Sequence, residues 1–272
     1  TRNQYRSSLT ISAVAIGLAS LIFLKGFTDG ADMQMVENYT NLLIGSIQVH
    51  KTGFNKNMGL EKSITSPDTL LSSVRNTPGV KAVSTRVKDF ALISSPESSA
   101  GIMLYGIDPL AERRLSTMNQ RLRRGRFLTR DDKDKIIIGK DLSSQLKADL
   151  GDKVVLMSQG ADGSMAAAAY EVCGIMEAGS EEIDKNLAII TSEAAQELLV
   201  LGSKISEIAV AVTSLDDIDE IAGSIKAKIN TEKYEVLTWK EISPMTYQWL
   251  QFDQVFTALI LFIVLLVVAA GI

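Results

Sequence analysis

The chain has 272 residues, 46% of them hydrophobic and 22% charged, with 28 Lys+Arg against 32 Asp+Glu and a net charge of −4. All 32 acids but only 25 of the basic residues fall between Thr28 and Gln254, a balance of −7 that disfavours general nucleic-acid binding, which needs positive charge to displace counterions. The single cysteine, Cys173, excludes an internal disulfide and fits a reducing compartment or an unstapled extracytoplasmic domain equally well.

The chain opens with an apolar run, Leu9 to Leu24, whose counterpart begins at Val255 and reaches Ile272. About 20 apolar residues are what an α-helix needs to cross a ~30 Å hydrocarbon core, so the chain reads as helix, large water-soluble domain, helix. Arg2 and Arg6 precede the first run without any acid, and short basic flanks tend to stay cytoplasmic, which puts the domain outside the cytoplasm. A cleaved signal peptide is the rival reading of the N-terminal segment; the run is slightly longer than a usual h-region and no A-x-A-like site follows Lys25. The start at Thr1 rather than Met, and the end inside an apolar run, point to a piece of a longer membrane protein.

In the first helix Ala13 and Gly17, then Ala15 and Ala19, place small residues four apart, and Gly26 and Gly30 form a GxxxG, a spacing that lets membrane helices approach closely. Met33, Met35, Val36, Tyr39, Leu42 and Leu43 then recur at three- and four-residue intervals, so the helix is expected to continue as an amphipathic stalk over Gly26 to Leu43. Ile47 to His50 alternates as a strand. Ser66-Pro67-Asp68 has the cap, proline and acid of a helix start, and Pro78-Gly79 ends that helix after Asn76. Strands follow at Val80 to Val87 and Gly101 to Gly106.

The middle segment has its own pattern: strand Ile136 to Ile138, helix Asp141 to Leu146, strands Val154 to Met157, Tyr170 to Ile175 and Leu187 to Ile190, and helix Ser192 to Leu199. Beyond it Ile208 to Thr213 reads as a strand, Ser214 to Asp217 as a capping box, Ile218 to Ile229 as a helix and Tyr234 to Leu237 as a strand. Two similar strand-and-helix units thus flank an inserted one. The architecture is α+β, with a smaller α+β/β subdomain nested in the outer one between two transmembrane helices. The divisions are residues 1–28 (cytoplasmic flank and first span), 29–123 and 201–252 (the two halves of the outer subdomain with its stalks), 124–200 (the insertion) and 253–272 (second span). Ser243-Pro244 starts the last helix, a stalk over Met245 to Val255, and Trp239, Trp249 and Phe252 fall where amphipathic rings favour a membrane boundary, although plain packing suits Trp239 at least as well.

Little in the chain carries chemistry. His50 is the one histidine, and without HExxH or paired cysteines it lacks the partners of a metal site; surface or strand-end packing is expected. Gly139-Lys140 is followed by Asp141 and lacks the upstream glycine of a phosphate loop, and no GxSxG occurs. Seven arginines lie between Arg113 and Arg130, a density that suits an anionic ligand or lipid headgroups, but Asp131, Asp132 and Asp134 adjoin them, and a solvated linker is the favoured reading. Gln159, Gly160, Asp162, Gly163 and Ser164 with Met165 form a turn between strands, a candidate partner-contacting hairpin set against a passive one.

Four stretches together carry a family resemblance: "LTISAVAIGLASLIFLKGFTDG", "LLIGSIQVHKTGF", "RGRFLTRDDKDKIIIGKDLSSQLKADLGDKVVLMSQGADGS" and "EVCGIMEAGSEEIDKNLAIITSEAAQELL". In order and spacing they resemble the lipoprotein-releasing (LolC/LolE) and macrolide-exporter (MacB) type of ABC transporter permease, within a superfamily that includes the FtsX-like cell-division branch. "IQVHKTGF" leans toward the lipoprotein-releasing branch, although Ser46 stands where that branch often has histidine. The resemblance implies a multi-pass permease of the bacterial inner membrane with a divided periplasmic domain. It also implies a separate cytoplasmic ABC ATPase, a second permease copy or paralogue, and a lipoprotein or other amphipathic cargo with a periplasmic carrier. No cofactor, metal or catalytic residue is implied, and movement would pass through the stalks. Depth along the runs marks Phe23, Phe27, Phe256 and Leu259 as candidates for the cargo path, against plain lipid-facing packing. The alternatives are an extracytoplasmic sensor or a regulator of an envelope machine without transport; a membrane-anchored hydrolase lacks a nucleophile-base pair.

Overall fold

The computed structural model describes the backbone of residues 2–270, with side chains at 12, 14–37, 40–264 and 266. Thr1, Gly271 and Ile272 lie outside the described residues, as do the side chains of Arg2 and Arg6 on which the orientation rests and those of Ala13 and Tyr39. Two compact units result: residues 1–39 with 243–272, and Thr40–Ile242.

The first unit consists of α1 (Arg2–Tyr39) and, at the other end of the chain, the helix Pro244–Ala270. Both are long and apolar enough to cross a membrane, over Val14–Ile44 and Pro244–Val264. The two helices pack together, and Leu21 and Thr257 are buried. Most other described apolar side chains of these two helices face outward. A methyl group added at Gly26 or Gly30 would meet nothing within 4 Å.

In the second unit α1 gives way to a π turn, Thr40–Ile44, then β1 (Ile47–Lys51), α2 (Pro67–Arg75), β2 (Val80–Ser94), β3 (Ser99–Ile107), α3 (Pro109–Leu115) and β4 (Leu122–Gly125). There follow β5 (Lys135–Gly139), α4 (Lys140–Leu146), β6 (Lys153–Gln159), β7 (Met165–Met176), α5 (Glu181–Asn186), β8 (Leu187–Thr191) and α6 (Ser192–Leu198). The unit ends with β9 (Glu207–Val212), α7 (Ile218–Lys226), β10 (Tyr234–Thr238) and α8 (Trp239–Ile242), before the terminal helix, α9.

Among the described residues ten strands form one sheet in the order β10-β1-β9-β2-β3-β8-β5-β7-β4, and β6 joins β7 back to β2. The strands β2, β3, β8, β5, β7 and β6 therefore close into a ring. Strands β10, β1, β9 and the first half of β2 extend from it as an open antiparallel sheet. Alternate residues of β5 and β8, Ile136, Ile138, Ala188 and Ile190, enter one core with Leu142, Leu146, Ala195 and Leu198 from α4 and α6. Their neighbours Ile137, Leu187 and Ile189 enter a second core with Met118, Phe127, Leu128 and the π-turn residues Leu42 and Leu43. The 15-residue β2 serves both parts, and together with β3, also placed before residue 124, it completes the ring.

Several local expectations change. Ser66 sits at φ 60° and caps nothing with its side chain, although Pro67 does start α2. Asp217, rather than Ser214, is the residue before α7, and no capping box forms; the Ser214 hydroxyl accepts from the Asp216 amide instead. The arginine-rich segment is solvated as expected, with Arg123, Arg124, Arg126 and Arg130 half exposed or more, but it is more ordered than a linker: it runs from the end of α3 through a short 3-10 turn to β4, the edge strand paired with β7. Its charges are paired locally, Arg124 with Asp149 (2.7 Å), Arg126 with Asp132 (2.6 Å) and Arg130 with Asp108 (2.6 Å). Trp239 is buried while Trp249 and Phe252 are exposed.

Candidate functional site

The register of the open sheet sets four ionisable residues side by side. Glu235 of β10 lies opposite His50 of β1, His50 opposite Glu207 of β9, and Glu207 opposite Arg86 of β2. Neighbours in such a row have Cβ atoms about 5 Å apart, within reach of one another. Period-two alternation puts Lys88 on the same face as Arg86, and Ala209 and Ala211 on the same face as Glu207, where they pack against Leu115 of α3. From α3 comes Glu112. His50, one residue before the end of β1, is thus not at the surface but 1% exposed within an ionic row.

Arg86 and Glu207 are fully buried, and so is Glu112. The Arg86 guanidinium grips Glu112 through two bonds, Nε to Oε2 at 3.1 Å and Nη2 to Oε1 at 2.6 Å. Glu207 receives Lys88 Nζ at 2.6 Å, Arg86 Nη1 at 3.1 Å and His50 Nε2 at 3.3 Å. His50 Nδ1 makes no hydrogen bond and lies 3.8 Å from Glu235 Oε1, with its ring against Phe54. Burial alone would push Glu207 toward its neutral form, but Lys88, His50 and Arg86 together hold its carboxyl below the usual range. Burial likewise works against the Arg86 charge, and Glu112 and Glu207 outweigh it, raising the guanidinium above its ordinary value.

This cluster also receives the π turn Thr40–Ile44. The last carbonyls of a helix lack intrahelical partners and carry its partial negative charge. Here the Gly45 amide closes the π turn onto the Thr40 carbonyl (2.8 Å), and three further carbonyls are met by other parts of the domain: Asn41 by the Thr117 amide (2.7 Å), Ile44 by Gln48 Nε2 (2.6 Å) and Leu43 by Arg86 Nη1. Leu42 and Leu43 are inserted beside Ile107, Met118 and Phe127. The π turn therefore sits in a socket with apolar walls and a cation against its carbonyls. A displacement of that turn must be shared with β1, β2 and the segment after α3, or break a buried charge contact.

The sequence-selected residues lie elsewhere. Phe23 and Phe27 stack on each other at 6.3 Å on α1 and are 74% and 66% exposed; Phe256 and Leu259 are both 53% exposed on α9. Gln159 ends β6, Met165 begins β7, and Gly160, Asp162, Gly163 and Ser164 make the turn between them. That turn is pinned rather than projecting freely, because the Ala161 amide donates to the Leu199 carbonyl (2.8 Å) at the end of α6. Sequence reasoning missed Arg86, Lys88, Glu112 and Glu207. The available signal was a full charge inside stretches that read as buried strands, as in Arg86 between Thr85 and Val87.

A family model described as the MacB-like periplasmic core domain matches residues 7–228. The chain belongs to this family. It is also similar to two lipoprotein-releasing system transmembrane proteins LolC. With that of Xylella fastidiosa it is 25% identical over 194 residues, covering 69% of this chain and 46% of the relative. With that of Neisseria meningitidis serogroup B it is 21% identical over 284 aligned positions, covering 98% of this chain and 65% of the relative. The chain therefore spans about half to two thirds of the length of these curated relatives. The crystal structure of the periplasmic region of MacB from Actinobacillus actinomycetemcomitans shares the fold, with a TM-score of 0.51 at 15% identity over 74% of this chain and 93% of that one. The α+β architecture expected from the sequence agrees with this MacB-type fold.

Proposed function

We propose that the chain is part of a permease subunit of an ABC transporter in the bacterial inner membrane. Cytoplasmic ATP hydrolysis by a partner subunit is coupled there to extraction or export of a lipoprotein or another amphipathic molecule on the periplasmic side. The observation that carries this reading is the MacB-like core domain set between two helices long and apolar enough to cross a membrane. LolC relatives support the lipoprotein as cargo.

In this reading α1 and α9 are the first two of several spans, and the domain divides into an outer part (29–123 and 201–252) and an insertion (124–200) whose ring of strands is completed by β2 and β3 of the outer part. A second permease copy or paralogue completes the membrane part. The exposed rings of Phe23, Phe27 and Phe256 and the Leu259 side chain border the cargo path, and the Gln159 to Met165 hairpin meets a periplasmic carrier. Movement of the first span reaches the domain through the π turn and its Arg86 socket. Coupling of this kind requires contacts that differ between two states, and a buried ionic cluster is suited to having discrete arrangements.

The test is purification of the full-length protein in mild detergent, with mass spectrometry of co-purifying proteins and an ATPase assay with and without acylated lipoprotein. A bound ATPase whose turnover responds to the acylated form is expected. An ATPase that ignores it moves the cargo to another amphiphile. A stable preparation with no ATPase overturns the permease reading in favour of an extracytoplasmic sensor.

A further inference from the structure

Strand β2 changes partners along its length. On one side it pairs with β9 as far as Arg86 and with β6 only from Leu92, leaving Val87–Ala91 between the two. Lys88 closes the start of this gap through its main chain, which exchanges hydrogen bonds with the Ser206 hydroxyl. The remainder opens as a groove of about 760 Å³, bounded by Gly59–Glu61, the end of β6 and the β6–β7 turn. That size is in the range of sites for single organic ligands, about 300–1,000 Å³.

The lining combines apolar side chains with acid and no base. Phe90, Leu92 and Met165 are 61%, 40% and 81% exposed, and Leu60 and Met157 stand beside them. Glu61 lies at the rim, and Asp89 is half-buried in the wall. Among the described residues no cation pairs with Asp89; its carboxylate accepts from the Ser158 hydroxyl at 2.7 Å. Burial pushes this carboxyl above its ordinary value in spite of that bond, so its charge lacks compensation. The main-chain carbonyl at Phe90 is already engaged, accepting from Ser158 Oγ at 3.1 Å.

We propose that this groove binds a small cationic amphiphile, its amine or guanidinium against Asp89 and its apolar body along Phe90, Leu92, Met157 and Met165. The charge supplies what Asp89 lacks. Thioethers and an aromatic face suit an apolar body of variable shape and also attract a nearby cation. Binding at the groove requires no ATPase partner and no transport, so its failure and the failure of the permease reading are separable.

The experiment uses the full chain in phosphatidylcholine nanodiscs with 13C-methyl-labelled methionines, titrated with 4-phenylbutylamine and, at equal free concentration, with the neutral 4-phenylbutanol. The Met157 and Met165 signals are expected to shift, and the amine to bind about 10-fold more tightly than the alcohol, the scale of a charge-assisted hydrogen bond in a partly desolvated site. Asp89→Asn should remove that preference while leaving alcohol binding unchanged. Phe90→Ala, at an exposed position that does not threaten the fold, should weaken both ligands alike. Equal affinity for amine and alcohol, a preference that survives Asp89→Asn, or shifts confined to other methionines would each overturn the assignment.

Discussion

The guanidinium of Arg86 donates to the main-chain carbonyl of Leu43, which ties the middle of the longest strand to the π turn Thr40–Ile44. The same guanidinium holds Glu112 and Glu207, so one side chain links the π turn, β2, β9 and α3.

Removing this cation leaves Glu112 buried without its guanidinium partner and leaves Glu207 to Lys88 and His50. Arg86→Met is expected to destabilise the domain by about 3–5 kcal/mol, because the unpaired charge retains the desolvation penalty. The double variant Arg86→Met/Glu112→Leu should recover part of the loss, since an apolar pair of similar volume can replace a buried ion pair at small cost. Thermal unfolding of both variants checks this; a double variant less stable than the single one contradicts it.

Glu207 makes stability depend on acid. Although burial opposes its charge, Lys88, His50 and Arg86 hold its carboxyl below the ordinary range. A depressed carboxyl contributes stability that is fully present above the unfolded value, about 4.3, and is lost as pH falls through the folded one. Denaturant midpoints should therefore fall as the solution is acidified below about pH 4. In Glu207→Gln, less stable at neutral pH, that acid dependence should be shallower.

Cys173 should be a poor nucleophile. Burial pushes its thiol up to about 11 from 9.0, so near neutral pH it carries about 100-fold less thiolate than an unperturbed cysteine. Alkylation by iodoacetamide at about pH 8 should be slower than that of a free thiol by a comparable factor. A rate close to that of the free thiol would show the site to be open and unperturbed.

Gly139, which begins the Gly-Lys pair before α4, is required by packing rather than by a phosphate. A methyl group there would collide with the Asp184 carbonyl and lie 2.8 Å from its carbon. Gly139→Ala should cost about 1–3 kcal/mol or more, as over-packing against immovable backbone does. An unfolding curve matching the parent would rule that out.

If α9 transmits movement as a rigid rod, breaking it should separate ATP hydrolysis from transport. Gln248→Pro with Gln251→Pro removes two helical hydrogen bonds and costs about 3 kcal/mol per proline. ATPase turnover in the assembled complex should persist while transport is lost; unchanged transport would sink the idea.

Much of the local structure was legible from residue pattern. Short apolar stretches such as Ile136 to Ile138 and Tyr170 to Ile175, and the proline-led starts at Pro67 and Pro244, fall inside the observed elements because each depends on neighbours a few residues away. The caps at Ser66 and Ser214 failed for the converse reason: a side-chain cap is one hydrogen bond among several that the same hydroxyl can make, and the surrounding chain chooses. The true extent of β2 was hidden too. Its second half, from Lys88, is a strand because β3 and β6 flank it, not because its sequence alternates cleanly.

By itself the sequence determined the two apolar helices, the α+β content of the domain between them and the family, since hydropathy, periodicity and motif order are properties of contiguous residues. Only the tertiary structure decided that His50, Arg86, Glu112 and Glu207 meet. They come from four elements spread over 158 positions, and strand register, together with the packing of α3, brings them into contact. A charge that reads as surface in one dimension becomes a buried partner when the sheet places its opposite beside it.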